Sequence, residues 1–288
     1  MPVPDPQASG DGGAALPAAA TLGPDGADLV LLLEATQAAG AIARRHFGQG
    51  PATWHKSGGQ GPVTEADLEI DRMLQARLLS ARPDYGWLSE ESEDNTARLA
   101  ARSVFIVDPL DGTRAFLEGQ KGFAHALAVA RDGRVTAAVV HLPMMGLSYA
   151  ARAGGGAFLN GRRLVTPPRK GLMGARILAG RDHLAPRHWP GGLPAVERHL
   201  RPALAWRLCL VAEGAFDGTV SLHDTWDWDT AAGSLIAEEA GARVTDRFGA
   251  PLAFNTPDPR SRGLLAGPPG IHAAFLSGLG QDPAPSGG

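Results

Sequence analysis

The chain has a single cysteine among its 288 residues, and it lacks any long apolar run. One cysteine excludes an internal disulfide and is typical of a reducing compartment. Cys209 lies in the apolar segment Leu208–Val211, which indicates a buried small hydrophobic side chain rather than a nucleophile. The run Leu29–Leu33 is far too short to span a bilayer. The single cysteine and the absence of a long apolar run together predict a cytoplasmic protein that does not enter a membrane.

The sequence also has little excess charge of either sign. Its formal net charge is -3, and its basic residues gather in no run, which argues against binding to a nucleic-acid polymer or to a membrane surface. The nine histidines form no cluster with metal-ligand spacing, so a zinc site is not expected. The remaining expectation is that the protein binds a small molecule. The sequence does not decide whether it forms a homodimer.

The ends of the chain differ in composition from its middle. Residues 1–26 are rich in Ala, Pro and Gly but lack the basic start and apolar core of a signal peptide, so we predict a disordered tail. Residues 281–288 are predicted to form a second tail. The segment between them is expected to be one fold, with halves 27–170 and 171–280.

The pattern of apolar residues predicts helices first, then a strand meander, then alternating elements. Helical spacing runs from Asp28 to Gly48, and again from Thr64 to a stop at Pro83. The short apolar run Val104–Val107 is typical of a buried strand. Turn-separated strands follow at 124–130, 135–141 and 147–152, and mixed helices and strands occupy the remainder. This order predicts an α/β (α+β) layered sandwich.

Acidic residues stand out in four segments. In the first, Thr64 followed by Asp67 fits a capping box, which needs no further role. In the second, Glu90 follows Trp87-Leu88-Ser89 and could simply end a strand in polar residues. In the fourth, Asp229 begins a helix rich in small residues, where acids serve as caps. None of these three segments, taken alone, indicates a catalytic or metal site specifically.

The third segment, Asp108-Pro109-Leu110-Asp111-Gly112-Thr113, is the specific one. The buried strand delivers Asp108 at its carboxyl end, and Gly112 permits a tight turn that brings Asp111 beside it. An Asp-rich turn is the alternative. Two adjacent carboxylates stay ionised only with a cation between them. Carboxylate and carbonyl oxygens suit Mg²⁺ or Mn²⁺, and such ions polarise phosphate esters.

These motifs together resemble the inositol monophosphatase family of Mg²⁺-dependent, lithium-sensitive phosphatases. The resemblance covers Asp28 to Phe275 and implies the family's αβαβα sandwich. It implies one Mg²⁺ held by Glu90, Asp108 and the Leu110 carbonyl, a second held by Asp108, Asp111 and Asp229, and a weaker third near Asp67 and Glu90. It further implies that Asp67, Thr113 and Glu90 act on the attacking water. The substrate would bind to Asp111, the Gly112 and Thr113 amides, Asp229 and Lys56.

The sequence departs from the family pattern at a few positions. Ser89 replaces a glycine before the acids, and His125 follows Phe123 where a serine is common nearby. Inositol-specific members carry a glutamate upstream of the second motif, and residues 218–223 contain no acid. The spacing to Asp229 is that of the 3′(2′),5′-bisphosphate nucleotidases, which makes 3′-phosphoadenosine 5′-phosphate the first expected substrate. Inositol 1-phosphate or another sugar phosphate is the alternative, and a non-catalytic ligand-binding protein is the competing class.

Overall fold

The computed structural model describes residues 23–55 and 61–280. Most of the two predicted tails, and Lys56, therefore lie outside the described residues. The first helix begins at Gly23, so the predicted boundary near residue 27 is corrected: residues 23–26 are helical. Asp25 lies in the first turn of this helix, where its negative charge stabilises the helix N-terminus. Its carboxylate also forms a salt bridge with Arg131.

The helices in the described part of the chain are α1 (Gly23–His46), α2 (Glu65–Ala81), α3 (Thr113–Leu117), α4 (Leu204–Ala212), α5 (Asp227–Glu239) and α6 (Pro269–Gly278). The strands are β1 (Thr53–His55), β2 (Pro62–Thr64), β3 (Gly86–Ser89), β4 (Ser103–Asp111), β5 (Ala124–Arg131), β6 (Arg134–Leu142), β7 (Leu147–Arg152), β8 (Gly156–Leu159), β9 (Arg162–Arg163), β10 (Ala175–Ala179), β11 (Val196–His199), β12 (Gly218–Ser221), β13 (Thr225–Trp226), β14 (Arg243–Thr245), β15 (Arg260–Ser261) and β16 (Leu264–Gly267).

A seven-stranded sheet, in the order β3 to β9, forms the centre of the N-terminal half. Strands β3 and β4 are parallel, and the other neighbours are antiparallel. Alternate residues of β4 enter two hydrophobic clusters: Phe105 and Val107 pack with α1 and α2, whereas Val104 and Ile106 pack with α4 and α5. Both faces of this sheet are therefore covered by helices.

A five-stranded sheet in the order β11-β10-β12-β16-β14 forms the second β layer. Leu264 and Ala266 of β16 pack toward α4 and α5, while Leu265 between them packs against Ile271 and Phe275 of α6. Helices α4 and α5 thus lie between the two sheets, and α6 covers the outer face of the second. This arrangement confirms the predicted αβαβα sandwich.

Helix α1 is long and apolar enough to cross a membrane, judged by length and composition alone. Half of its most apolar window is buried in the fold. Its buried Leu32, Ala35 and Ala39 pack in the cluster formed with α2 and the seven-stranded sheet. These contacts are those of a core helix in a globular fold.

Candidate metal centre and active site

The third acidic segment forms the end of β4, which differs from the prediction. The strand continues past Val107 to Asp111, and its pairing with β5 is interrupted by a bulge between Asp108 and Asp111. Pro109 lies in that bulge because it has no N–H for the ladder. The bulge leaves both carboxylates at the carboxyl end of the sheet.

Three predicted ligands come together at this point. Asp108, Asp111 and Asp229 each offer an oxygen, and these oxygens lie within 4.8 Å of one another. Asp229 is in the first turn of α5. The backbone N–H of Leu110 donates to Asp108 Oδ1 at 2.8 Å, and that of Ala205 donates to Asp111 Oδ2 at 2.8 Å. The two β4 carboxylates are therefore held in defined orientations.

Glu90 reaches the same place from the neighbouring strand. It directly follows β3, and its backbone N–H donates to the Val107 carbonyl at 3.2 Å. Its negative charge contributes to a raised pKa at Asp67, Asp108 and Asp229. The parallel pairing of β3 with β4 thus adds a fourth carboxylate to the cluster.

The Ser89 departure has a structural role that the sequence did not reveal. Ser89 Oγ donates to Asp71 Oδ1 at 2.6 Å, and Ser92 Oγ donates to Asp71 Oδ2 at 2.7 Å. Asp71 is buried on α2, one helical turn after Asp67. These bonds tie the segment that carries Glu90 to the helix that carries Asp67.

Asp67 serves as both a cap residue and a site residue. The capping box with Thr64 is present, as the sequence pattern predicts. The other carboxylate oxygen, Oδ1, accepts a hydrogen bond from Thr113 Oγ1 at 3.1 Å. Burial raises the pKa of Asp67, while its bonds from Thr64 and Thr113 oppose that shift. The structure therefore joins two of the three residues that the resemblance assigns to the attacking water, Asp67 and Thr113.

The electrostatics of the cluster fit a bound cation. Burial raises the pKa of Asp111 to about 7. Burial, followed by the charges of neighbouring acids, raises the pKa of Asp108 and of Asp229 well above the usual range. Asp108 Oδ2 is buried without a hydrogen-bond partner among the described residues. An all-oxygen set of carboxylates with an unpaired buried oxygen matches the preference of Mg²⁺.

A cavity of about 550 Å³ opens beside the cluster. Gly112, with a φ of 98°, caps the short helix α3, and its left-handed backbone is accessible to glycine without strain. Gly112, Thr113 and Glu90 all line the cavity. So do Arg114, Arg201 and Arg207, and no motif in the sequence pointed to Arg201 or Arg207. The available signal was a lone charged residue, Arg207, in the otherwise apolar α4.

The paired indoles near Asp229 pack on each other. Trp226 and Trp228 stack with ring centroids 4.6 Å apart and planes at 8°. The Arg260 guanidinium lies 5.3 Å from the Trp226 centroid, and Trp228 packs against the core. Because these faces already have partners, packing explains the pair better than a platform for a nucleobase.

His125 contacts the backbone between Asp108 and Asp111, the two aspartates at the end of β4. Its Nδ1 lies 2.5 Å from the Pro109 carbonyl, which can only accept, so Nδ1 carries the proton. Burial lowers the pKa of His125 to about 3, which keeps the ring neutral. The imidazole therefore fixes the residue between the two β4 aspartates.

Replacing this donor should destabilise the protein. We expect His125→Phe to lower the free energy of unfolding by about 1–3 kcal/mol, because a buried carbonyl loses its partner. The exposed His55→Phe change should stay within about 0.5 kcal/mol of the parent. Urea unfolding measures both, and equal stability of His125→Phe and the parent would contradict the assigned hydrogen bond.

Comparisons with known proteins bear on this site. A model of the inositol monophosphatase family matches residues 28–281. The inositol-1-monophosphatase of Rhizobium meliloti is 38% identical over 240 residues, covering 77% of this chain and 86% of the relative. The 3′(2′),5′-bisphosphate nucleotidase of Aggregatibacter actinomycetemcomitans is 32% identical over 232 residues, covering 78% and 86%. A solved IMPase of Thermotoga maritima matches with a TM-score of 0.75 at 26% identity, covering 87% of this chain and 96% of that one.

Proposed function

Because the chain belongs to the inositol monophosphatase family, a family of metal-dependent phosphomonoesterases, we propose that it hydrolyses the phosphate ester of a small polyol or sugar. Inositol 1-phosphate is the first substrate to test. The observation that carries the proposal is the convergence of Asp108, Asp111 and Asp229 within 4.8 Å. Among the described residues no basic side chain forms an ion pair with them. The charge of Arg207 lowers the pKa of Asp111 and Asp229, but burial still leaves both pKa values raised, which favours a cation at the cluster.

Members of this family use Mg²⁺, and the present residues would hold it in the arrangement that the resemblance implies. Glu90, Asp108 and the Leu110 carbonyl would hold one ion, and Asp108, Asp111 and Asp229 a second. Asp67 with Glu90 would help to hold a third, weaker ion, and Mn²⁺ is an expected substitute. When bound, such ions polarise the phosphate and make water a better nucleophile at neutral pH.

The side chains of Thr113 and Asp67 supply the proton transfer. The Thr113 hydroxyl donates to Asp67 Oδ1, so an Oγ1 lone pair can accept a hydrogen bond from water. As the water proton passes to Oγ1, the proton of the hydroxyl passes to Asp67 Oδ1. Asp67 is fixed from the other side by the Thr64 hydroxyl and backbone N–H. The Gly112 and Thr113 amides at the start of α3 would receive the phosphate oxygens. Attack is direct, so no nucleophilic side chain is required.

A matched pair of substitutions tests this relay. Thr113→Val keeps the size of the side chain but removes the hydroxyl, and we expect kcat/KM to fall about 10²-fold. Thr113→Ser retains the hydroxyl and should stay within about threefold of the parent in the same steady-state assay. Equal losses in the two variants, or an active valine variant, would rule out the hydroxyl as a participant.

The substrate preference follows the relatives rather than the residue spacing. The first expectation, a bisphosphate nucleotidase, has the support of the nucleotidase relative and of residues 218–223, which contain no acid. The inositol-1-monophosphatase relative is more similar, at 38% against 32% identity. The stacked Trp226 and Trp228 also offer little open surface to a base. Both points favour the polyol phosphate.

A phosphate-release assay tests the proposed function. Inositol 1-phosphate, 3′-phosphoadenosine 5′-phosphate and a set of sugar phosphates are incubated with enzyme, with Mg²⁺ or with EDTA. Release that requires Mg²⁺ and is fastest with a polyol or sugar phosphate supports the proposal. Preference for the nucleotide returns the nucleotidase to first place. No Mg²⁺-dependent release from any ester would leave a ligand-binding protein on this fold.

A further inference from the structure

The bulge near the end of β4 leaves a gap in the main-chain pairing between β4 and β5. The register is regular up to Asp108 and resumes at Asp111. Between these two pairs, Pro109 and Leu110 of β4 stand opposite a single residue of β5, His125. A carbonyl inside such a gap has no partner from the regular ladder. The Pro109 carbonyl therefore needs a hydrogen-bond donor from a side chain.

The side chain of His125 supplies this donor. His125 is fully buried, and its Nδ1 donates to the Pro109 carbonyl at 2.5 Å. Its other ring nitrogen, Nε2, is buried without a hydrogen-bond partner among the described residues. Burying an unpaired polar atom costs free energy, and an apolar side chain would avoid that cost. Packing alone therefore does not account for a histidine at this position.

The peptide group between Pro109 and Leu110 links His125 to a candidate metal ligand. The carbonyl that accepts the His125 bond and the N–H of Leu110 belong to this one peptide group. That N–H donates to Asp108 Oδ1 at 2.8 Å. A hydrogen bond accepted by a peptide carbonyl polarises the peptide and strengthens the bond that its N–H donates. A chain of two hydrogen bonds thus runs from the imidazole to the Asp108 carboxylate.

The two oxygens of Asp108 have different surroundings as a result. The backbone holds Oδ1, whereas Oδ2 is buried without a hydrogen-bond partner among the described residues. The Asp108 carboxylate is also one of the three that converge within 4.8 Å. A carboxylate fixed at one oxygen keeps the other available to an ion. Groups that hold a metal ligand in this way typically raise metal affinity by about 10- to 100-fold.

We propose that His125 is a positioning residue of the metal centre. Through the Pro109–Leu110 peptide, it holds Asp108 in the orientation that binds a divalent ion. The imidazole acts through its Nδ1–H alone, and Nε2 takes no part. This inference rests on the metal centre of the proposed function and adds to it a residue that is not itself a ligand.

A purely structural role for His125 is the alternative. In that role, loss of the hydrogen bond lowers the stability of the protein, but the folded molecules bind ions as the parent does. A positioning role predicts weaker ion binding by protein that is fully folded. It also predicts that affinity returns when a donor is restored at the place of Nδ1 alone.

Three substitutions at this position separate the two roles. His125→Asn places an amide N–H at the site of Nδ1, because both nitrogens are bonded to Cγ. His125→Gln carries its amide one bond farther out, toward the site of Nε2, and His125→Phe keeps a ring without a donor. His141→Gln is the matched control. His141 is a buried histidine of the neighbouring strand β6, and its Nδ1 contacts Ser148 and the Leu147 carbonyl rather than the aspartate segment.

Ion binding is measured by titrating metal-free protein with Mn²⁺ and following the free ion by electron paramagnetic resonance. Circular dichroism confirms that each variant is folded at the temperature of the titration. We expect the dissociation constant for Mn²⁺ to rise about tenfold or more in His125→Phe and His125→Gln. It should stay within about threefold of the parent in His125→Asn and His141→Gln. The Mg²⁺ concentration that gives half-maximal phosphate release should follow the same order.

Affinity equal to that of the parent in His125→Gln would overturn the inference. Equal losses in His125→Asn and His125→Gln would do so too, because a donor at the site of Nδ1 would then make no difference. An equal loss in His141→Gln would assign the effect to general destabilisation. If His125→Phe does not fold, the comparison of the asparagine and glutamine variants still decides between the two roles.

Failure of the proposed function would look different. It would appear as no Mg²⁺-dependent phosphate release from any ester by the unmodified protein, while Mn²⁺ binding still depended on the residue at position 125. Normal phosphate release, together with Mn²⁺ binding that does not respond to the His125 substitutions, would leave the phosphatase in place and remove His125 from the metal centre.

Discussion

Asp111→Asn is expected to reduce kcat about 10³-fold, because loss of a ligand to the catalytic ion costs several kcal/mol of transition-state stabilisation and each factor of ten corresponds to about 1.4 kcal/mol. The fold should survive. Asp111 Oδ2 accepts the Ala205 N–H at 2.8 Å, and the carbonyl oxygen of asparagine can accept the same bond. The variant also relieves repulsion among the buried acids, so the metal-free protein should melt no earlier than the parent.

Asp132→Asn is the matched control. Asp132 is exposed in the turn between β5 and β6, and its φ of 51° is one that asparagine tolerates. We expect this variant to retain full activity. Steady-state kinetics at limiting and at saturating Mg²⁺ compare both variants with the parent. A rate near that of the parent for Asp111→Asn at limiting Mg²⁺ would show that Asp111 does not serve the ion.

The parts of the fold with local signals could be predicted. The turn residues Asp132 and Gly133 separate two apolar segments, which predicts a β-hairpin. The structure has strands β5 and β6 on either side of this turn. The end of β4 could not be predicted, because Pro109 interrupts the ladder and only pairing of Asp111 with Ala124 continues the strand. The sequence offered strand β3 only as one interpretation of the residues before Glu90, since a segment this short is stabilised by its parallel neighbour rather than by its own pattern.

The convergence of Asp108, Asp111 and Asp229 could be predicted from motifs, because the end of a strand and the start of a helix hold these carboxylates at fixed places in the fold. Their supports could not. Asp71, His125 and Arg207 act through hydrogen bonds to residues distant in sequence or through position on a cavity wall. A residue of this kind is chosen by packing, and packing is decided by the whole fold. The one local clue was a polar residue in an apolar segment, which the sequence shows at His125 and at Arg207.

Mg²⁺ is expected to raise the melting temperature of the metal-free protein, and by more near pH 8 than near pH 5. Burial raises the pKa of Asp111 from 3.8 to about 7, and Asp108 and Asp229 shift in the same direction. A carboxyl group with a raised folded-state pKa favours the native state most below its unfolded pKa. That contribution is lost as the pH rises through the folded value. The contribution of these acids should therefore fall between about pH 4 and pH 7, whereas the lowered pKa of buried His125 acts in the opposite direction over the same range.

Added Mg²⁺ should reverse this loss, because it binds the ionised carboxylates of the native state and not the unfolded chain. At a concentration about 100 times its dissociation constant, a ligand stabilises by about 2.7 kcal/mol, which is a few degrees for a chain of this size. Differential scanning fluorimetry of EDTA-treated protein, with and without Mg²⁺ across this pH range, measures the effect. Burial also raises the pKa of Asp227 to about 7, and this buried group contributes to the pH dependence. Taking the difference between the two conditions largely removes its contribution.

Asp111→Asn should flatten the pH dependence of the metal-free protein and weaken its response to Mg²⁺, whereas Asp132→Asn should follow the parent throughout. The reason is that only the first substitution removes one of the buried charges that compete for protons and for the ion. If the stability of metal-free Asp111→Asn relative to the parent does not increase between about pH 5 and pH 8, the raised pKa of Asp111 is contradicted. A Mg²⁺ effect of equal size at both pH values would show that the ion stabilises the protein at some place other than this cluster.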